Sequence, residues 1–170
     1  MKNITPEEFS RNIFDLIGKQ WALVAAYDKE HDGLPYNALT ASWGGMGVLW
    51  NKNVFWCFIR PQRYTKEFID SSERISLSFF DESCRKSLTL CGRKSGRDGD
   101  KLSEAGFTPV VSENGAVSFR EAKLTITGRK LYAQEMNESC FTDPSIVGAC
   151  YPAKDFHTMY VCEIESIVEN

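Results

Sequence analysis

Val54-Phe55-Trp56-Cys57-Phe58-Ile59-Arg60-Pro61-Gln62-Arg63-Tyr64-Thr65 passes in twelve residues from a hydrophobic run to a charged turn. The first six positions are aromatic or β-branched but for Cys57, the composition of a strand set in a core. Arg60-Pro61 ends that strand, and Thr65 to Ser71 reads as a short helix with Phe68 and Ile69 inward. Two guanidinium groups three residues apart, a hydroxyl at Thr65 and a helix start can converge on one phosphate. A single arginine at a strand end is ordinarily a surface residue. Two of them beside Tyr64 and Thr65 give the anion-site reading equal standing with that plainer one.

Working outward, the pattern predicts more strands. Trp21 to Tyr27 is apolar throughout, and the polar turn Asp28 to Gly33 follows it. Asn37 to Trp50 is strand-like at both ends and interrupted by Gly44-Gly45-Met46-Gly47, with Asn51-Lys52-Asn53 as the turn into Val54. Ile75 to Phe79 alternates with period two, Leu124 to Ala133 forms another candidate, and Met159 to Val168 the last. An opening helix is signalled by Thr5 as cap, Pro6 in the first turn and Glu8 completing a capping box. Phe9, Ile13, Phe14 and Ile17 then share a face, and Gly18 ends it. Residues 82–91 and 100–105 read as short helices around a polar loop. There is no repeat or linker, so the expectation is a mainly β fold, a β-barrel with peripheral helices, in one domain over residues 1–170.

Composition narrows the class. The 170 residues are 42% hydrophobic and 25% charged, enough to build a core without staples. Four Trp, six Tyr and eleven Phe are many planar side chains for this length. The net charge of −3 argues against nucleic acid as a partner. The amino terminus is acidic and lacks the apolar stretch of a leader, and the longest uncharged stretch, Gly33 to Asn51, is too rich in glycine for a membrane span. Six cysteines without CxxC spacing and two histidines argue against a metal site; the thiols read as reduced and mostly buried, in a cytoplasmic protein. Cys91, beside the basic loop, reads better as a buried structural thiol than as a redox sensor.

Charge is also unevenly placed. Arg60 to Lys101 holds ten basic and seven acidic residues, a net of +3, inside an otherwise acidic chain. A small anionic ligand would need such a stretch, although a solvated face accounts for it on charge alone. Asn37-Ala38-Leu39-Thr40-Ala41-Ser42-Trp43 offers small and polar residues along which a flat ligand can approach the backbone; taken alone it is also simply a strand edge leading into a turn. Gly92 to Lys101 lacks the order of a nucleotide-binding P-loop and reads as a flexible basic lid.

Thr40-Ala41-Ser42-Trp43-Gly44-Gly45-Met46-Gly47, Arg60 to Thr65, and Lys94-Ser95-Gly96-Arg97-Asp98 with Lys101, in this order and spacing, resemble the flavin reductase family, in particular its flavoredoxin-like branch. The likeness covers nearly the whole chain, including a closing Asp155-Phe156-His157-Thr158-Met159-Tyr160. It implies a six-stranded Greek-key FMN-binding split barrel that forms a homodimer with FMN near the subunit interface. It further implies that Asn37, Thr40, Ala41, Ser42 and Trp43 lie along the isoalloxazine and ribityl chain. Arg60, Pro61, Gln62, Arg63, Tyr64 and Thr65 would form the 5′-phosphate segment, Ser95, Gly96, Arg97 and Lys101 would close over the site, and His157 would approach from the last strand. Cys162 departs from the glycine many relatives carry there. The implied activity is transfer of a hydride from NADH or NADPH, with electrons passed to free flavin, oxygen or a partner protein. The alternative is an electron carrier reduced by a partner protein; a pyridoxamine-phosphate-oxidase-type enzyme lacks its expected phosphate cluster here.

Overall fold

A computed structural model describes residues 2–170; Met1 lies outside the described residues. Ten strands are present: β1 (Lys2–Ile4), β2 (Ala22–Tyr27), β3 (Tyr36–Ala41), β4 (Gly44–Leu49), β5 (Lys52–Ile59), β6 (Arg74–Phe79), β7 (Pro109–Val111), β8 (Val117–Phe119), β9 (Leu124–Glu135) and β10 (Thr158–Glu169). The helices are α1 (Thr65–Ser71), α2 (Arg85–Arg93), α3 (Lys101–Glu104) and α4 (Pro144–Cys150). One antiparallel sheet runs β3-β2-β6-β9-β10-β5-β4, with β1 also paired to β10, and β7-β8 forms a separate hairpin. The mainly β architecture with peripheral helices is therefore as expected; the sheet has eight strands rather than six. Its two edges, β3 and β4, are consecutive in sequence, joined by Ser42-Trp43, so the sheet curls until its ends meet at that link.

Burial on both sides explains why β2 is apolar at every position. Ala22, Val24 and Ala26 join the barrel interior with Phe55, Cys57, Ile59, Leu77, Ile126 and Tyr160. Leu23 and Ala25 face the other way, into a second cluster with Ala38, Leu88, Cys91, Leu102, Phe107 and Phe119. A strand with both faces covered reads as a continuous hydrophobic run. The second cluster fastens α2, α3 and the β7-β8 hairpin to the outside of β2 and β3, so the polar loop between α2 and α3 lies against β3. Each large side chain so buried contributes roughly 1.5–3 kcal/mol.

Several local expectations are corrected. The capping box forms, since Glu8 Oε2 accepts from Thr5 N at 2.9 Å, but it closes only one turn. The helix itself is a wide π-type helix over Phe14–Gln20 that buries Leu16 and Ile17, leaves Phe14 87% exposed and runs through Gly18. The break in the run from Asn37 to Trp50 falls at Ser42-Trp43, and Gly44 to Gly47 opens β4 rather than interrupting a strand. Trp56 on β5 lies across it, and a Cβ at Gly45 would stand 2.4 Å from Trp56 Cζ2. The hairpin turn is Trp50-Asn51 rather than Asn51 to Asn53, both at positive φ (53° and 56°) as a tight two-residue turn requires. Of the six free cysteines, Cys57, Cys91 and Cys162 are buried, Cys84 and Cys150 half-buried and Cys140 exposed, fewer buried than expected. Burial pushes the Cys91 thiol up to about 11, the behaviour of a structural thiol.

Candidate functional site

Two clefts open beside β3. The first, about 270 Å³, is lined by Leu39 to Trp43, by Phe58, Ile59 and Arg60 at the end of β5, and by Arg63 and His157. The second, about 340 Å³, lies beyond Asn37 and is lined by His31 to Leu34, Tyr64 and Phe68, by Gly96 and Arg97 of the loop before α3, and by Lys101 at its start. The structure thus brings Asn37, Thr40, Ala41, Ser42, Trp43, Arg60, Arg63, Tyr64, Gly96, Arg97, Lys101 and His157 to one side of the molecule. Contrary to expectation, Pro61, Gln62, Thr65 and Ser95 line neither cleft. Thr65 is buried where α1 begins, and Ser95 Oγ accepts from Arg97 N at 3.2 Å, shaping the turn that carries Gly96 and Arg97.

The wall between the clefts holds two cations, Arg63 half-buried and Lys101 buried. Arg63 donates from Nη1 to the Gly92 carbonyl (2.7 Å) and from Nη2 to that of Cys91 (3.4 Å). Lys101, only 3% exposed, donates to the carbonyls of Cys91 (3.3 Å) and Lys94 (3.1 Å). Both therefore point at the Cys91 carbonyl, and among the described residues neither has a carboxylate partner. Burial lowers the Arg63 pKa, and burial with the Arg63 charge beside it brings Lys101 down to about 8. The end of α2 and the start of α3 hold this arrangement because Leu88, Cys91 and Leu102 anchor them in the second cluster.

Other cations are already matched. Arg60 forms an ion pair with Asp155 and donates to the Cys150 carbonyl at 2.8 Å, while Gln62 Nε2 donates to Asp155 at 2.8 Å. Together they pin the segment between α4 and β10 beside the first cleft. Arg97 pairs with Glu67 and lies 4.4 Å over the Tyr64 ring. Tyr64 Oη is 2.9 Å from His31 Nε2, and the His31 ring stacks on Phe68 at 4.2 Å. His31, on a polar turn that carries no motif, was not recognisable as a site residue from sequence.

Two features bear on whether a phosphorylated planar ligand fits. Asn37 is buried, its Oδ1 accepts from Ala38 N at 2.9 Å, and its Nδ2 has no partner, an unmet donor between the clefts. Gly96 faces it so closely that a Cβ would come within 2.6 Å of Nδ2. An unused amide donor, a bare Cα and two uncompensated cations suit an anion tethered to a polar chain. The first cleft suits the flat part: Thr40 Oγ1 donates away to the Leu88 carbonyl (2.6 Å), leaving Ala41, Ser42 and the 45% exposed Trp43 along its side. At its far end His157 lies 5.0 Å from Trp43, with Nδ1 2.8 Å from Tyr151 Oη. Burial, with Arg60 adding to it, lowers the His157 pKa to about 4, so the imidazole is neutral at pH 7.

This barrel, with an anion-seeking wall between two clefts at the meeting of its sheet edges, is a flavin-reductase-like split barrel. The chain belongs to the family described as Flavin reductase like domain, which matches residues 14–170. Among solved structures it is similar to the flavoredoxin from Methanosarcina acetivorans, with TM-score 0.68 and 20% identity over 89% of this chain and 68% of that one. The flavoredoxin of Desulfovibrio vulgaris (Miyazaki F) gives 0.68 and 18% over 98% and 77%. The FMN-binding protein from Thermus thermophilus with bound p-hydroxybenzaldehyde gives 0.67 and 18% over 100% and 82%. No curated protein matches the chain.

Proposed function

We propose that the joined clefts hold one FMN in a single-domain oxidoreductase that draws electrons from NADH or NADPH and delivers them to free flavin, oxygen or a partner protein. The observation that carries this reading is the Arg63–Lys101 pair, a half-buried and a buried cation met by carbonyl dipoles and, among the described residues, by no counter-charge. Holding such charges out of water costs several kcal/mol unless an anion offsets them. A 5′-phosphate brings two negative charges and enough oxygens to take both cations and the Asn37 amide.

Arg63, Lys101 and Asn37 would hold the phosphate end, with Ser95, Gly96 and Arg97 closing over it, while Thr40 to Trp43 lie along the ring. Arg60 and Gln62 act through Asp155, fixing the segment that carries Tyr151 and His157. The bound flavin supplies the redox chemistry that no side chain here provides. The residues' tasks are to anchor the phosphate, exclude water from the inner side of the ring cleft and leave its rim at Trp43 open. That open rim serves a reduced nicotinamide; the exposure of Trp43 also favours the second reading, an electron carrier met by a partner protein. Six free thiols suit a reducing compartment, the cytoplasm. The exposed Val48 (73%) and Trp50 (53%), with Trp50 set edge-on to Tyr132 at 6.0 Å, support a homodimer through β4. No helix among the described residues is long and apolar enough to cross a membrane.

One cuvette tests the reading. Protein mixed with FMN and freed of excess should absorb near ~450 nm, and anaerobic NADH or NADPH should bleach it rapidly. Colourless protein overturns the cofactor assignment. Coloured protein that neither nicotinamide bleaches reassigns the chain to the electron carriers.

A further inference from the structure

Tyr151 stands outside every motif of the sequence, yet it is buried between the ring cleft and the closing segment. Its ring packs on Phe156 at 4.8 Å and under the Arg60 guanidinium at 5.1 Å, so the phenol oxygen has a fixed position. That oxygen has two neighbours, His157 Nδ1 at 2.8 Å and Met136 Sδ at 3.5 Å. A thioether has no proton to give. Both contacts are hydrogen bonds at once only if the phenol donates to Met136 and His157 Nδ1–H donates to the phenol. The neutral imidazole then carries its proton on Nδ1. Nε2, which makes no hydrogen bond among the described residues, is left as a bare acceptor on a ring that lines the first cleft.

We propose that Tyr151, backed by Met136, is a positioning residue that fixes the tautomer of His157, so that Nε2 accepts a hydrogen bond from an N–H group of the ligand entering beside Trp43. The ligand class this selects is a planar molecule with an amide-type donor at its edge, such as a primary carboxamide. A carbonyl-edged acceptor finds no donor at that nitrogen. Three charged or titratable groups face His157: Arg60 from the end of β5, and Asp155 and Tyr151 from the segment before β10. Arg60 and Asp155 are paired with each other, and burial raises the Tyr151 phenol, so none of the three protonates the imidazole near neutral pH. As a statement about electron donors, the proposal rests on the nicotinamide reading given above; as a statement about His157 it does not.

The test has two arms. In long-range ¹H–¹⁵N spectra of ¹⁵N-histidine-labelled protein at pH 7, His157 should show the Nδ1-protonated pattern, and Tyr151→Phe, which keeps the ring and removes the hydroxyl, should shift it toward the Nε2-protonated form. An Nε2-protonated His157 in the unsubstituted protein, or a pattern unchanged in Tyr151→Phe, overturns the tautomer assignment. In the second arm, FMN-loaded protein is reduced by NADH and by its reduced 3-acetylpyridine analogue, which lacks the carboxamide N–H. The unsubstituted protein should favour NADH by roughly 5-fold or more in KM, the size expected for one hydrogen bond, and Tyr151→Phe should lose that preference. Equal preference in both proteins overturns the ligand class. Reduction by neither compound, with the spectra as expected, removes the nicotinamide reading and leaves the tautomer assignment standing.

Discussion

In the wall between the clefts, half-buried Arg63 and buried Lys101 are met, among the described residues, by the carbonyls of Gly92, Cys91 and Lys94 and by no carboxylate. At the ring end the arrangement is reversed. There Arg60 is neutralised by Asp155 and His157 is held uncharged against Tyr151. The two regions share neighbouring strand ends and similar burial, but one is left short of negative charge and the other is electrically closed. On the proposed reading the difference divides the tasks: the wall would recognise an anion, and the ring end would present neutral hydrogen-bonding and aromatic surface to something flat.

The largest effects should come from the wall. Arg63→Ala or Lys101→Met should each weaken FMN binding by about 1.5–3 kcal/mol, read by fluorescence titration. Lys101→Met should also raise the melting temperature of the ligand-free protein, because it removes a buried charge that lacks a counter-ion. A lower melting temperature would mean that the lysine is fully compensated by its carbonyls.

A comparable loss is expected in the fold rather than the site. Gly45→Ala should destabilise by about 1–3 kcal/mol in denaturant unfolding, since its methyl group meets the Trp56 ring. Unchanged stability would show that β4 is free to move away from β5.

pH separates the two regions further. Lys101 deprotonates near 8 in the free protein, so FMN affinity should fall above that pH, by up to about tenfold per unit. Ligand-free stability should move the other way. The unfolded chain, with an ordinary lysine pKa, holds more protons than the native one from about 8 up to that ordinary value, so stability gains with pH across that window. The ring end stays flat over the same range because His157 titrates near 4. The smallest effect should be Asp155→Asn. It frees Arg60 with only a small loss of stability and leaves the phosphate contribution to binding intact. A large loss of FMN affinity in that variant would move Arg60 into the anchor.

How far these regions could be read beforehand follows from the range of the forces involved. α1 is local, and Thr65 to Ser71 was legible with its bounds. β2, β5, β6, β9 and β10 were legible because strand composition and alternation are local too. The helix expected from Thr5 failed because a capping box fixes only one turn, whereas the turns that persist are those where Leu16 and Ile17 reach the core. Gly44 to Gly47 looked like a break because glycine is a poor strand former; the tertiary contact with Trp56 decides otherwise. β7 and β8 were missed, three residues each being too short for periodicity to register, and α4 carried no apolar stripe to announce it. In the site, Arg63 and Lys101 were recognisable as motif residues. That they converge on one carbonyl, that Arg60 is consumed by Asp155, that His31 borders the second cleft and that Tyr151 stands behind His157 are facts of packing between distant segments.

The most direct test compares FMN with riboflavin, which differs only in lacking the phosphate, on the unsubstituted protein and on Arg63→Ala/Lys101→Met. The phosphate-anchor account predicts that the unsubstituted protein prefers FMN by one to two orders of magnitude or more, and that the double variant binds the two alike. An FMN preference that survives in the double variant would contradict it and place the phosphate away from the Arg63–Lys101 wall.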